Sequence, residues 1–233
     1  MKDYGKIKYM NTRQKGYYRD KLIVETIDNF ECLTTEQIYY LFFTDIRYGI
    51  VKCRERLRIL RKRDKINSHR IDINECSYHF IDKKPYYLQH NINRNWGFMY
   101  IMNMVRCNYQ YLKFNELRLE YYMKCGIRTD GIIGFKNYVT GEFRYWIIES
   151  DKVDSRNRFD KIKNYNDKYG DRGEGYKDEY WFDRVERFPH ILIVSDSNKK
   201  KDKILDRVIE DNIKVLKFDV ITIDEIRKKL GLI

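Results

Sequence analysis

Four side chains have the residue types and spacing from which a metal-dependent reaction could be built: Asp130, Glu149, Asp151 and Lys161. Glu149 and Asp151 stand two apart at the end of the stretch from Glu142 to Ser150, Glu-Phe-Arg-Tyr-Trp-Ile-Ile-Glu-Ser. Its aromatic and β-branched residues suit a largely buried strand. Side chains alternate along a strand, so the two carboxylates point to one side while Ser150 and Lys152 point to the other. Asp130 precedes Gly131, where a neighbouring strand is expected to turn into a Gly-rich hairpin running to Gly141, and it adds a third carboxylate. Three acids at two strand ends suit Mg²⁺ or Mn²⁺, hard cations that take oxygen ligands. Asp130, Glu149 and Asp151 are therefore the expected metal ligands. Solvated acids at strand ends are also common, and it is the following residues that favour a site.

A polar segment from Asp151 to Arg158 leads into Phe-Asp-Lys-Ile-Lys-Asn-Tyr, residues 159–165. Lys161 and Tyr165 are four apart and share one face of a helix. That face would bring a cation beside the carboxylates, where it could steady charge developing on a phosphate.

The order Thr129-Asp130-Gly131, hydrophobic strand, Glu149-Ser-Asp151 and then Lys161-Ile-Lys-Asn-Tyr165 resembles the C-terminal half of the plasmid replication-relaxation proteins, members of the PD-(D/E)XK nuclease-like superfamily. The same two-part layout is found in restriction-endonuclease-like mobilisation relaxases. The resemblance covers most of the chain and implies a winged helix followed by a nuclease-like domain. It makes Asp130 the first acid of the motif and Glu149 the second. At the third position Asp151 stands where the superfamily has Lys, and Lys152 faces the other side of the strand. Lys161 on the following helix is the implied replacement.

The first half of the chain has the composition of a device for holding DNA. The 233 residues have a net charge of +12, and a pI of about 9.3, which points to an anionic partner. Residues 1–110 contain 21 Lys and Arg against 12 Asp and Glu, whereas the remainder contains 26 against 23. Helical periodicity predicts a first helix over 18–30. A second begins after Thr34, with Gln37 three residues on in a capping-box pattern. The third, over 47–63 with Gly49 near its start, has an apolar stripe of Ile50, Cys53, Leu57 and Leu60. On an adjacent face lie Arg47, Arg54, Arg58, Arg61 and Lys65, the groups a recognition helix needs for base edges and phosphates. Two alternating stretches around Asn74-Glu75 then read as the hairpin wing of a winged helix-turn-helix, with His69 and Arg70 expected on the flanking backbone.

After Lys83-Lys84-Pro85 the chain reads as helical and apolar from Asn95 to about Met123, with Met99, Met102, Met104 and Val105 as packing residues. The part from Asn115 to Lys124 is expected to pack as a helix on the sheet, with Glu116 or Glu120 as possible further acids. Gly170 to Glu179 reads as a polar, Gly-rich mobile loop. Strands at 191–195 and 214–218, a helix over 199–209 and a Thr-x-x-Glu-capped helix from Thr222 to Leu230 complete an α/β sheet.

Other classes lose support. Five cysteines, without a C-x-x-C pair or zinc-ligand spacing, read as reduced thiols. The four histidines are scattered, which disfavours a histidine metal site for tyrosine-dependent nicking, and no P-loop is present. No secretory signal or bilayer-length apolar run is found, so a cytoplasmic protein with no membrane partner is expected.

The expected fold is α/β overall: an N-terminal winged helix-turn-helix over 1–90, then a PD-(D/E)XK-like α/β domain with a central mixed sheet over 91–233. The expected function is DNA binding in plasmid or phage replication or mobilisation, with nicking or cleavage by Mg²⁺ or Mn²⁺. The expected partner is double-stranded DNA, with a second copy in a homodimer and replication or conjugation proteins as further candidates. The alternative is a catalytically inactive nuclease fold acting as a replication accessory protein or transcriptional regulator.

Overall fold

The computed structural model describes residues 11–70, 77–151, 160–169, 175–185, 187–213 and 216–233. The chain divides into two compact units between Ile92 and Asn93.

In the first unit, α1 (Thr12–Asn29), β1 (Leu33–Thr34), α2 (Thr35–Phe42), α3 (Gly49–Lys62), β2 (Asn67–His69) and β3 (Tyr78–Phe80) follow in order. The strands form an antiparallel sheet ordered β1-β3-β2. The capping box read at Thr34 is present: its hydroxyl accepts from Gln37 N–H, and the Gln37 side chain accepts from Thr34 N–H. Cys53, Leu57 and Leu60 of the predicted stripe are buried, with Ile23, Ile27, Ile38 and Phe43. Arg56, on the same helix, ion-pairs with the buried Asp20 and ties α3 to α1. The Asn74-Glu75 turn lies outside the described residues.

The second unit contains α4 (Leu88–Asn108) from Asn93 on, β4 (Leu112–Tyr122), β5 (Arg128–Asn137), β6 (Phe143–Asp151), α5 (Lys161–Tyr169), β7 (His190–Ser195), α6 (Asn198–Glu210), β8 (Phe218–Thr222) and α7 (Ile223–Lys229). Its five strands run β4-β5-β6-β7-β8. The first three are antiparallel and the last three parallel, so the sheet is mixed. Ile132, Tyr145, Ile147, Ile191 and Ile193 pack on one face with Ile162 and Tyr165 of α5 and Ile204 of α6. α4 lies close on the other face: a Cβ at Gly97 would stand 2.8 Å from Val194, and one at Gly131 2.4 Å from Phe98.

Three local readings are corrected here. The segment 112–122 is a strand, not the continuation of a helix. Its residues favour a helix, but as the edge strand it pairs with β5 from Leu112 to Tyr122, and pairing overrides propensity. Glu116 and Glu120 are therefore strand residues. Gly131 does not start a hairpin, because β5 runs on to Asn137 and the turn comes at Gly141, with φ +82°. Of the strand expected over 214–218, Lys214 and Val215 lie outside the described residues, and the described strand spans Phe218–Thr222, where it pairs in parallel with β7. Of the expected mobile loop, 170–174 lie outside the described residues, whereas Tyr176 and Glu179 are buried. Glu179 accepts from Tyr121 Oη at 2.7 Å and Lys124 N–H at 2.5 Å, which pins that segment. Among the described residues, no helix is long and apolar enough to cross a membrane.

Candidate functional site

The antiparallel pairing of β5 and β6 sets Gly131 opposite Ile148, which brings Asp130 and Glu149 side by side one step further along. Ser150 N–H donates to Asp130 Oδ2 at 2.6 Å and fixes that carboxylate across the strand pair. Both acids fall on the sheet face that α5 covers. From the first residue of α5, Lys161 Nζ reaches Asp130 Oδ1 at 3.0 Å and also donates to Glu149 Oε2. One turn on, Tyr165 Oη donates to Glu149 Oε1 at 2.5 Å. The spacing of four thus delivers a cation and a hydroxyl to one carboxylate.

Burial is unequal across this group. Glu149 is fully buried and Asp130 5 % exposed, while the Lys161 side chain keeps 36 % of its surface, so the cluster opens to solvent on the lysine side. Burial, then the Asp130 charge, push Glu149 up from the usual carboxyl range to about 8, against the pull of Lys161 and Tyr165. Burial lowers the Lys161 ammonium, but Glu149 and Asp130 outweigh it and hold Lys161 above the ordinary lysine range. Tyr165 is raised by burial and by Glu149, so its hydroxyl stays a donor. The group that can exchange a proton near neutrality is therefore Glu149.

The donor set fits a hard divalent cation. Oxygens of two separate carboxylates, Asp130 Oδ1 and Glu149 Oε2, already converge on one positive group, the Lys161 ammonium. Asp151 stands apart from that grip. Its carboxylate lies 3.3 Å from Lys200 Nζ in the first turn of α6. Parallel pairing sets Asp151 opposite Ser195, and α6 starts three residues beyond. Lys200 was missed in the sequence, where Lys199-Lys200-Lys201 reads only as a basic helix start. The signal lay in the position of that triplet after a buried parallel strand. Of the two further acids on β4, Glu120 is held by Arg94 Nη1 at 3.3 Å and by Arg128, and Glu116 accepts from Tyr145 Oη at 2.7 Å.

Of the basic residues expected on one helix face, Arg54, Arg58 and Arg61 lie on α3, whereas Arg47 precedes its left-handed N-cap at Tyr48 and Lys65 follows its C-cap at Arg63, so those two are not on the helix. Arg47, Arg54, Arg58, Arg61, Lys65, His69 and Arg70 are all exposed. Arg54 and Arg58 make no ion pair among the described residues, whereas Arg61 Nη1 donates to Ser68 Oγ at 3.1 Å and joins α3 to β2. Arg70 Nε donates to Ser77 Oγ at 3.3 Å, and the His69 ring lies 5.4 Å from that of Tyr78. The guanidinium groups of Arg54, Arg58 and Arg61 on α3 and of Arg70 just after β2 present donors only, the pattern that phosphates and guanine edges accept.

Set against family models, curated proteins and solved structures, the chain matches none of them.

Proposed function

We propose that this chain is a DNA-binding protein whose first unit is a winged helix that grips duplex DNA and whose second unit is a PD-(D/E)XK-like nuclease that nicks or cleaves it with Mg²⁺ or Mn²⁺. The observation behind this reading is the reach of Lys161 to both Asp130 and Glu149. A lysine on the helix after the acid-bearing strand supplies the cation that the strand itself lacks. The order helix, three antiparallel strands, helix, parallel strand supports the nuclease-like reading of the second unit. Three helices, a three-stranded antiparallel sheet and an exposed basic third helix support the winged-helix reading of the first. The order of motifs that resembles plasmid replication-relaxation proteins supports reading such an activity as one of plasmid or phage replication or mobilisation.

Asp130 and Glu149 would hold the metal, with Asp151 at the margin in its pair with Lys200. The bound metal would supply an activated water and neutralise charge on the scissile phosphate. The chain's own residues do the rest. Ser150 N–H orients Asp130, and Tyr165 Oη orients Glu149. Glu149 would have to be deprotonated to hold the metal. Lys161, which opens to solvent, would be the donor to a phosphate oxygen.

Incubation of supercoiled plasmid with the protein, with and without Mg²⁺ or Mn²⁺ and beside Asp130→Ala, tests this. Metal-dependent relaxation lost in Asp130→Ala is the expected result. A second reading, an inactive nuclease fold serving as a replication accessory protein or regulator, is favoured by the withdrawal of Asp151 to Lys200. Tight DNA binding with unchanged plasmid topology under every metal would select it.

A further inference from the structure

The predicted basic face of α3 has two apolar members at its N-terminal end that the arginine pattern does not account for. Tyr48 is 67 % exposed and Val51 57 % exposed. Val51 lies one turn before Arg54, and Arg58 continues the same row, so the apolar pair opens the row that the arginines extend.

Tyr48 is held in an unusual way. It occupies the N-cap of α3 with φ 59° and ψ 35°, the left-handed region, and makes no side-chain cap hydrogen bond. The next residue explains the turn: a Cβ at Gly49 would stand 2.1 Å from the Phe43 carbonyl oxygen, so the chain reverses tightly against that carbonyl. Both demands at position 48, left-handed backbone and a capping group, are met better by Asn than by Tyr. The aromatic side chain is thus unexplained by local backbone needs. The Arg47 guanidinium lies 5.1 Å from the ring centroid and its Nη2 donates to Tyr48 Oη at 3.4 Å, so a cation sits against the ring.

We infer that Tyr48 and Val51 form an apolar reading element for the thymine 5-methyl group in the major groove of duplex DNA. This rests on the DNA-binding reading of the first unit. Charge fixes the occupant, because the apolar pair continues a row of cations suited to the phosphate backbone. Within the groove, Val51 can offer neither a donor nor an acceptor. Every base edge there presents polar groups that a valine would leave unpaired, and the thymine methyl is the apolar feature among them. Tyr48 walls that methyl from water, and Arg54 and Arg58 contact the polar groups and phosphates further along.

The test starts from the duplexes that the full-length chain enriches from a random-sequence library, remade with deoxyuridine at each thymidine in turn. At one or two positions, loss of the methyl should weaken wild-type binding about fourfold, the worth of one buried methyl group. The effect should vanish in Val51→Ala and shrink in Tyr48→Asn, while Tyr48→Asn melts no lower than wild type because Asn suits the left-handed turn. Equal binding of thymine and uracil duplexes by the wild type would overturn the inference. So would a uracil penalty that persists unchanged in both variants. Absence of any enriched duplex would instead remove the DNA-binding reading beneath it, and the inference with it.

Discussion

Lys161 and Asp130, 31 positions apart in sequence, meet at 3.0 Å, with Glu149 joined to the same ammonium. One cation thus lies between two buried carboxylates. A divalent ion held as proposed by Asp130 and Glu149 would compete with Lys161 for the same oxygens, which would link stability to metal binding.

Lys161→Met should therefore destabilise the second unit in the absence of metal. Two facing, poorly solvated acids would lose their counter-ion, at a cost of roughly 3 kcal/mol, somewhat reduced because the lysine is partly exposed. Mg²⁺ or the second substitution Asp130→Asn should recover most of it. Thermal melting in EDTA and in Mg²⁺ checks this. A variant that melts like wild type in EDTA would show that the ammonium does not offset the acids.

Glu149 would give the proposed metal binding a pH dependence. Its carboxyl is raised from 4.5 to about 8 by burial and by Asp130, and a ligand must be deprotonated. Mn²⁺ affinity should therefore rise as pH climbs toward about 8. The stability side runs the other way. A folded value above the unfolded one contributes stability fully present below 4.5 and lost as pH rises through about 8. Titration calorimetry with Mn²⁺ across pH 6 to 9 reads the first effect, and Glu149→Gln should flatten both.

His79 makes the first unit acid-sensitive. Burial, then the charge of Arg61, lower it from 6.5 to about 4, and Thr35 Oγ1 sits 3.0 Å from its Nε2. With the folded value depressed, the unfolded chain binds the extra proton first. Stability present above pH 6.5 is thus lost as pH falls toward 4, by roughly 3 kcal/mol over the window. Denaturant melts at pH 7 and pH 4.5 should differ accordingly, and His79→Phe should narrow the difference.

Gly49→Ala should unfold the first unit before the second. The new methyl would meet the Phe43 carbonyl oxygen at 2.1 Å, a backbone atom that cannot swing aside. A cost of roughly 2–3 kcal/mol is expected, seen as a lowered first transition in a thermal melt. Melting indistinguishable from wild type would mean that the turn at Tyr48 can relax.

Arg54→Ala and Arg58→Ala should each weaken duplex binding and lower the slope of log affinity against log salt by about 1 where the arginine neutralises a phosphate. An unchanged slope with lost sequence discrimination would assign that arginine to a base edge. Fluorescence anisotropy at several salt concentrations separates the two.

Local chemistry made some of this protein legible from sequence. The capping boxes at Thr34 and Thr222 are closed by a side chain and an N–H three residues apart, and both helices start there. The stripe of Cys53, Leu57 and Leu60 followed from helical period alone, as did the shared face of Lys161 and Tyr165. The acids of β6 were legible for the same reason, since alternation is a property of one strand. What the chain order could not supply was pairing. Leu112 to Tyr122 favours a helix by itself and becomes a strand because β5 offers it a ladder of backbone partners. Asp151 shares a side with Glu149 by alternation, but the parallel register of β6 with β7 sets it beneath the start of α6, where Lys200 takes it. The sequence by itself thus determined which residues are acidic, basic or apolar on each element. Tertiary structure decided which of them meet, because hydrogen bonds between strands and the packing of α5 and α6 set distances across tens of residues that no local period encodes.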